Sequence, residues 1–240
     1  MLGGHRDVCG GDPEVIKTLL IVYHERLGDI VRCLPIARHF AMLGWHVWIE
    51  CRPQYHGIFD CVTYCYGLAP DERRGDFTRI IDLQIWPKRF DDFTRSGKNW
   101  MDYVYGLFPE GKDIDRQILL APTKGEADEV PAWVHECCLV FPNGYSQMNP
   151  PNPFGVLIQA HKTFPTVPVI AVGKAELDMP ELPSIPTLVA WIEAAKHVLT
   201  VNTSASIIAS AVRKEWHHIP DLNPQHDWTH PNQVRVGRLT

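Results

Sequence analysis

Three stretches of the 240-residue sequence combine side chains that could do chemistry. The first is His24-Glu-Arg26-Leu-Gly28-Asp29. A carboxylate at a turn can take a proton from a hydroxyl, which makes Asp29 a candidate general base. His24 and Arg26 share the turn and suit a phosphate or an acceptor. The competing use of Asp29 is as the N-cap of a helix beginning at Ile30. The second stretch is Asn202-Thr203-Ser204, ahead of a small-residue helix. Free backbone N–H groups and the helix dipole favour an anion there, such as a diphosphate. The same residues also make a plain capping box with no ligand. The third runs from Trp86 to Trp100 and interleaves Trp86, Phe90, Phe93 and Trp100 with Lys88, Arg89, Arg95 and Lys98. Aromatics beside cations stack on rings and hold phosphates. The competing reading is an amphipathic helix that packs its aromatics and solvates its charges.

The elements around these stretches alternate between strand and helix. Thr18 to Tyr23 is a short aliphatic run suited to a strand buried on both faces. Ile30, Val31, Leu34 and Ala37 recur at helical spacing, and Gly44 lies just past that helix. Val47 to Ile49 makes a second strand, so 18–50 reads as a βαβ unit with a right-handed crossover. Ligands in such sheets bind beyond the carboxyl ends of the strands, where His24 to Asp29 falls. A short helix is expected over 53–60 and a further strand within 76–86. Asp113-Ile-Asp115 reads as a solvated turn. The polar, breaker-rich segment from Ala121 to Trp133 is placed as a linker. The alternation then restarts, with strands at 138–141, 167–172, 197–201 and 216–219 and helices at 153–164, 186–196 and 204–212.

Composition sets the class. Hydrophobic residues are 45% and charged residues 21%, as in a folded globular chain. A net charge of -5 argues against a dominant cationic footprint for nucleic acid. The seven cysteines have no metal-ligand spacing, and Cys137 and Cys138 are adjacent. Reduced thiols in a cytoplasmic protein are expected. No apolar run reaches the roughly 18 residues of a membrane span, and the N-terminus carries no secretory h-region. No Gly-x-Gly-x-x-Gly follows the first strand and no phosphate-loop lysine motif occurs.

The order of motifs resembles the heptosyltransferases, ADP-heptose-using glycosyltransferases of the GT-B fold. They carry a Gly-Asp after the first strand and a Leu-Pro-Ala in the first helix, matched by Gly28, Asp29, Leu34, Pro35 and Ala37. Their second half has a strand, Val-Asp-Thr/Ser-Gly, then a His; here Val201, Asn202, Thr203, Ser204 and Ile207 stand at those places. Asn202, Ser204 and Ile207 depart from the pattern. Backbone phosphate binding tolerates those changes, whereas side-chain recognition of heptose depends on what was lost. Asp227-Trp228-Thr-His230-Pro231 is similar to the family's Trp-x-Pro tail.

The resemblance implies an α/β chain of two Rossmann-like halves facing across a GT-B-like cleft, shorter than a usual member. The expected limits are 1–121 for an acceptor-side domain, 122–136 for the linker and 137–240 for a nucleotide-sugar-binding domain. The implied activity is metal-independent glycosyl transfer from a nucleotide-sugar co-substrate, with no other cofactor, to a hydroxyl of an anionic acceptor. That acceptor is a phosphorylated saccharide or a hydroxylated base in DNA. Asp29 is the implied base. Asn143, Gly144, Tyr145, Gly173, Glu176, Asn202, Thr203 and Ser204 are expected at the donor. His24, Arg26, Lys88, Arg89, Arg95 and Lys98 are expected at the acceptor. The alternative is a non-catalytic binding protein of the same shape.

Overall fold

The computed structural model describes residues 16–72, 75–143, 152–173, 184–212, 215–219 and 233–236. The first half is a four-stranded sheet in the order β3-β2-β1-β4, parallel throughout. Its strands are β1 (Thr18–Val22), β2 (His46–Glu50), β3 (Tyr66–Leu68) and β4 (Arg79–Asp82). The apolar run of β1 is buried and lies centrally, as a strand covered on both faces should. Helix α1 (Leu27–Met42) crosses from β1 to β2 and turns Ile30, Val31, Leu34, Ile36, Ala37 and Phe40 inward. Gly44 ends it at φ 81°, a backbone conformation that glycine adopts without a Cβ clash.

A 3-10 helix, Pro53–Cys61, follows β2 where a short helix is expected. Strand β3 is absent from the sequence reading. It is three residues long at the sheet edge, with Gly67 at its centre, so no alternation marks it. Asp115 accepts from the Arg38 guanidinium at 2.8 Å, so the Asp-x-Asp turn is tied to α1.

The second half is a five-stranded sheet, also parallel, in the order β6-β5-β7-β8-β9. Its strands are β5 (Cys138–Phe141), β6 (Val169–Ala171), β7 (His197–Thr200), β8 (Trp216–His218) and β9 (Gln233–Arg235). Strand β9, with one apolar residue in three, is the other strand that periodicity does not reveal. Helices α5 (Pro153–Thr163), α6 (Ile185–Ala194) and α7 (Ser204–Ala211) connect the strands. Residues 122–136, the expected linker, contain short helical elements. These are α4 (Lys124–Asp128) and a 3-10 turn (Ala132–Glu136), and Thr187 of α6 donates to Glu126 at 2.7 Å.

The halves meet through helices. Helix α1 packs on α7, and the 3-10 helix packs on α6. One apolar cluster runs through both sets, from Leu19, Ile30 and Ile58 to Ile192, Ala205 and Ile208. A smaller cluster, including Val140, Val156 and Leu199, fills the space under α5. The two carboxyl edges are therefore held by shared core packing, which fixes the turns between them.

Candidate active site

Strand register levels the carboxyl edge of the first sheet. Val22 pairs with Glu50 on one side and Asp82 on the other. His24, Arg26 and Asp29 follow directly. Helix α1 begins at Leu27, three residues before Ile30, and its N-cap is Arg26, which makes no side-chain cap. Asp29 is thus the third helical residue and not the N-cap. Leu27 joins the helix because its side chain already packs against the core.

Both Asp29 oxygens are engaged. Oδ2 accepts from the Tyr23 hydroxyl at 2.8 Å, and Oδ1 accepts from the Arg32 guanidinium at 3.0 Å. Arg32 in turn lies over the Trp100 ring, 5.6 Å from its centroid, and Tyr23 meets the same ring edge-on at 5.7 Å. Burial, and then the Asp29 charge, push the Tyr23 hydroxyl well above its ordinary pKa, so it stays a donor. Sequence reasoning missed Tyr23 and Arg32 as partners. The signal available was the i,i+3 spacing of Asp29 and Arg32 on a helix.

A second pair sits on the same edge. His24 Nε2 lies 2.7 Å from Glu50 Oε1, and Glu50 is only 4% exposed. The Glu25 carboxylate accepts from the Trp86 amide N–H at 2.7 Å, which ties the loop after β4 to this turn. Arg26 is exposed.

The stretch from Trp86 to Trp100 is not one amphipathic helix. It forms α2 (Phe90–Ser96), a left-handed Gly97 at φ 65°, and the start of α3 (Trp100–Tyr105). Phe93 and Trp100 are core. Trp86 and Phe90 are exposed and meet edge-to-face at 5.0 Å. The four cations also divide. Arg89 donates to the Gln84 carbonyl at 2.7 Å and faces Asp82 at 3.6 Å. Arg95 pairs with Asp92 one helical turn away. Lys88 and Lys98 project from exposed loop positions.

In the second half, Asn143 follows β5, Gly173 follows β6, and Asn202-Thr203-Ser204 follows β7. All three places lie at the carboxyl edge of that sheet. Gly144, Tyr145, Glu176 and the 227–231 tail lie outside the described residues. Thr203 is the N-cap of α7 and its Oγ1 accepts from the Ala205 amide at 2.9 Å. The Ser206 hydroxyl accepts from the Thr203 amide at 3.3 Å and donates to the Thr203 carbonyl at 2.6 Å. The reciprocal cap read from the sequence is therefore present. The Thr203 hydroxyl is turned into the helix.

The two edges meet at one point. A Cβ on Gly28 would lie 2.7 Å from Ile207 Cδ1 and 3.4 Å from Ser204 Cα. The turn carrying Asp29 and the first turn of α7 are thus in backbone-level contact.

This architecture is the GT-B fold: two parallel α/β halves, as in the solved structures of heptosyltransferases. No protein-family model and no curated sequence matches the chain. Among solved structures it is similar to the iron-containing dodecameric glycosyltransferase TibC from enterotoxigenic E. coli, at 16% identity, 91% of this chain, 63% of that chain and a TM-score of 0.66. A family 9 glycosyltransferase from Veillonella parvula gives 9%, 92%, 85% and 0.66. E. coli heptosyltransferase WaaC with ADP gives 11%, 91%, 92% and 0.65. The chain spans less than two thirds of TibC and most of the other two. Among the described residues no helix is long and apolar enough to cross a membrane.

Proposed function

We propose that the chain transfers a sugar from a nucleotide-sugar donor to a hydroxyl of an anionic saccharide, without a metal. The observation that carries this reading is the contact of Gly28 with Ser204 and Ile207, which sets the β1–α1 turn beside the N-terminus of α7. In the reading, residues 137–240 hold the donor, residues 1–121 hold the acceptor, and 122–136 join them. The diphosphate lies at the α7 N-terminus near Asn202, Thr203 and Ser204, where the helix dipole offsets the charge of the leaving group. Asn143 and Gly173 border the same edge. The acceptor approaches the β1–α1 turn, and a side chain of that turn takes its proton. WaaC, whose structure holds ADP, supports an adenine nucleotide as the first donor to test.

A second reading is binding of the nucleotide-sugar without turnover. Ile207 favours it, because it stands where the heptosyltransferase pattern has a His and is buried against Gly28. Calorimetry with ADP, GDP, UDP and dTDP sugars tests both. Binding followed by release of the nucleoside diphosphate is expected for a transferase. Binding without release favours the second reading. No binding to any of them removes both.

A further inference from the structure

We propose that His24, oriented by Glu50, is the group that takes the acceptor's proton, and that Asp29 is a positioning residue. The inference rests on the transfer reading above and names the base within it. Four observations carry it.

Glu50 is the last residue of β2 and its side chain is 5% exposed. The Tyr23 amide donates to the Glu50 carbonyl at 3.0 Å, which extends the pairing of β1 and β2 by one residue. That pairing sets His24 beside the Glu50 carboxylate, and Nε2 closes on Oε1 at 2.7 Å. A carboxylate accepts, so Nε2 is the donor in this pair, and in the neutral ring the lone pair is then on Nδ1.

The His24 side chain is 29% exposed although its Nε2 edge meets a buried partner. His24 Nδ1 makes no hydrogen bond to a described residue. The site is at the carboxyl edge of a parallel sheet, where substrates of such folds bind.

Asp29 differs in each respect. Its side chain is 15% exposed and each oxygen already accepts from a buried donor, Arg32 or Tyr23. That triad joins β1, the first turn of α1 and Trp100, so Asp29 holds the turn that presents His24.

The step balances. The acceptor oxygen attacks the anomeric carbon and forms the new C–O bond. Its proton passes to His24 Nδ1, and Glu50 stabilises the imidazolium. The bond from the anomeric carbon to the phosphate oxygen breaks, and the nucleoside diphosphate leaves with the electron pair. Water in place of the saccharide gives the same sequence and yields free sugar.

The test uses the nucleotide-sugar that binds wild type in calorimetry, from a panel of ADP, GDP, UDP and dTDP sugars, with water as acceptor and nucleoside diphosphate release as readout. His24→Gln keeps a donor for Glu50 and so keeps the fold. Glu50→Gln keeps the size of the side chain and removes the negative charge that stabilises the imidazolium. Each variant should lose about 10² to 10⁴ in kcat, the usual contribution of a general base, with unchanged donor Kd and melting temperature. The double variant should lose no more than His24→Gln alone, because the two residues act as one unit. Wild-type kcat in His24→Gln overturns the proposal, as does a multiplicative loss in the double variant. Loss in Asp29→Asn with turnover kept in His24→Gln places the base at Asp29. Donor bound by wild type with no release overturns the base assignment but leaves nucleotide-sugar binding standing. No donor bound overturns the transfer reading itself.

Discussion

Gly28 and Ile207 are in contact across the junction of the two halves, with space for hydrogen but not for a methyl group: a Cβ on Gly28 would stand 2.7 Å from Ile207 Cδ1. Two effects oppose each other in Gly28→Ala. Alanine gains up to about 1 kcal/mol of helix propensity at this position in α1. The added methyl must displace the end of a buried isoleucine, and overpacking costs roughly 1–3 kcal/mol. A net loss of about 1 kcal/mol is expected in urea unfolding. Ile207→Val removes the clashing atom. In a double-mutant cycle the pair should then lose less than the sum of the two single changes. Additive losses would show that the helices shift freely and that the junction is not tight.

Thr203 supports α7 through its hydroxyl, and the diphosphate proposal needs the same helix end. Thr203→Val removes the oxygen that accepts from Ala205 and should cost about 1 kcal/mol, the typical cost of losing a cap. Replacing Ser204 with leucine should leave the cap in place and block approach to the helix end. Donor affinity by calorimetry should therefore fall in Ser204→Leu with little change in melting temperature. Thr203→Val should show the opposite balance. Unchanged donor affinity in Ser204→Leu would place the diphosphate elsewhere.

Much of the fold is legible because its strands and helices are hydrophobic in period. The continuous apolar runs of β1 and β5, and the spacing of Ile30, Val31, Leu34 and Ala37, point to buried parallel strands and a covering helix. Strands β3 and β9 are not legible, because neither carries an apolar run: β3 has Gly67 at its centre and β9 is Gln233-Val234-Arg235, whereas the equally short edge strand β6 is read from Val169-Ile170-Ala171. The candidate site divides in the same way. Gly28-Asp29 and Thr203-Ser204 are local signals, since a turn and a cap are made by neighbours in sequence. The pairing of His24 with Glu50, 26 residues apart, depends on strand register, which neither segment reveals alone. The fate of Trp86 to Trp100 depends on which side chains find a core. Phe93 and Trp100 do, while Trp86 and Phe90 do not.

The split among the four cations changes what charge reversal should do to acceptor binding. Arg95 is already paired with Asp92, and Arg89 is anchored to Gln84 and Asp82. Lys88 and Lys98 are exposed loop residues. Lys88→Glu with Lys98→Glu should therefore raise the acceptor KM more than Arg95→Glu, and added salt should raise it in wild type. A KM independent of salt and of both lysines would remove this stretch from the acceptor site.

The cysteines should be inert in the native protein. Cys33, Cys51, Cys61, Cys65, Cys137 and Cys138 are all buried as free thiols. Burial pushes Cys51, Cys61, Cys65 and Cys138 up to about 12, and Cys137 to about 11. Since the thiolate is the nucleophile, these groups should not react with a disulfide reagent at pH 8 until the chain unfolds. Cys9→Ser removes the seventh thiol from the experiment. Fast native labelling of that variant would contradict the packing around α1 and β5.

Arg79 and Glu110 give the fold a defined response to acid. The guanidinium meets the carboxylate through two bonds, of 2.6 and 2.8 Å, and its cation also lies over the Phe40 ring at 5.0 Å. The hydrogen bonds from Arg79 lower the Glu110 pKa from 4.5 to about 2. A carboxylate with a depressed folded-state value adds stability that is fully present above its unfolded value. That stability is lost as pH falls toward the folded value, here between about 4.5 and about 2. The Glu110 side chain is 38% exposed, so solvent screening limits the contribution to about 1 kcal/mol or less. Glu110→Gln should therefore lower the urea midpoint at pH 7, and the difference from wild type should shrink as pH is lowered through that window. High salt should reduce the same difference at pH 7. A gap between the two proteins that stays constant from pH 7 to pH 3 would mean that the pair contributes through packing on Phe40 and not through charge.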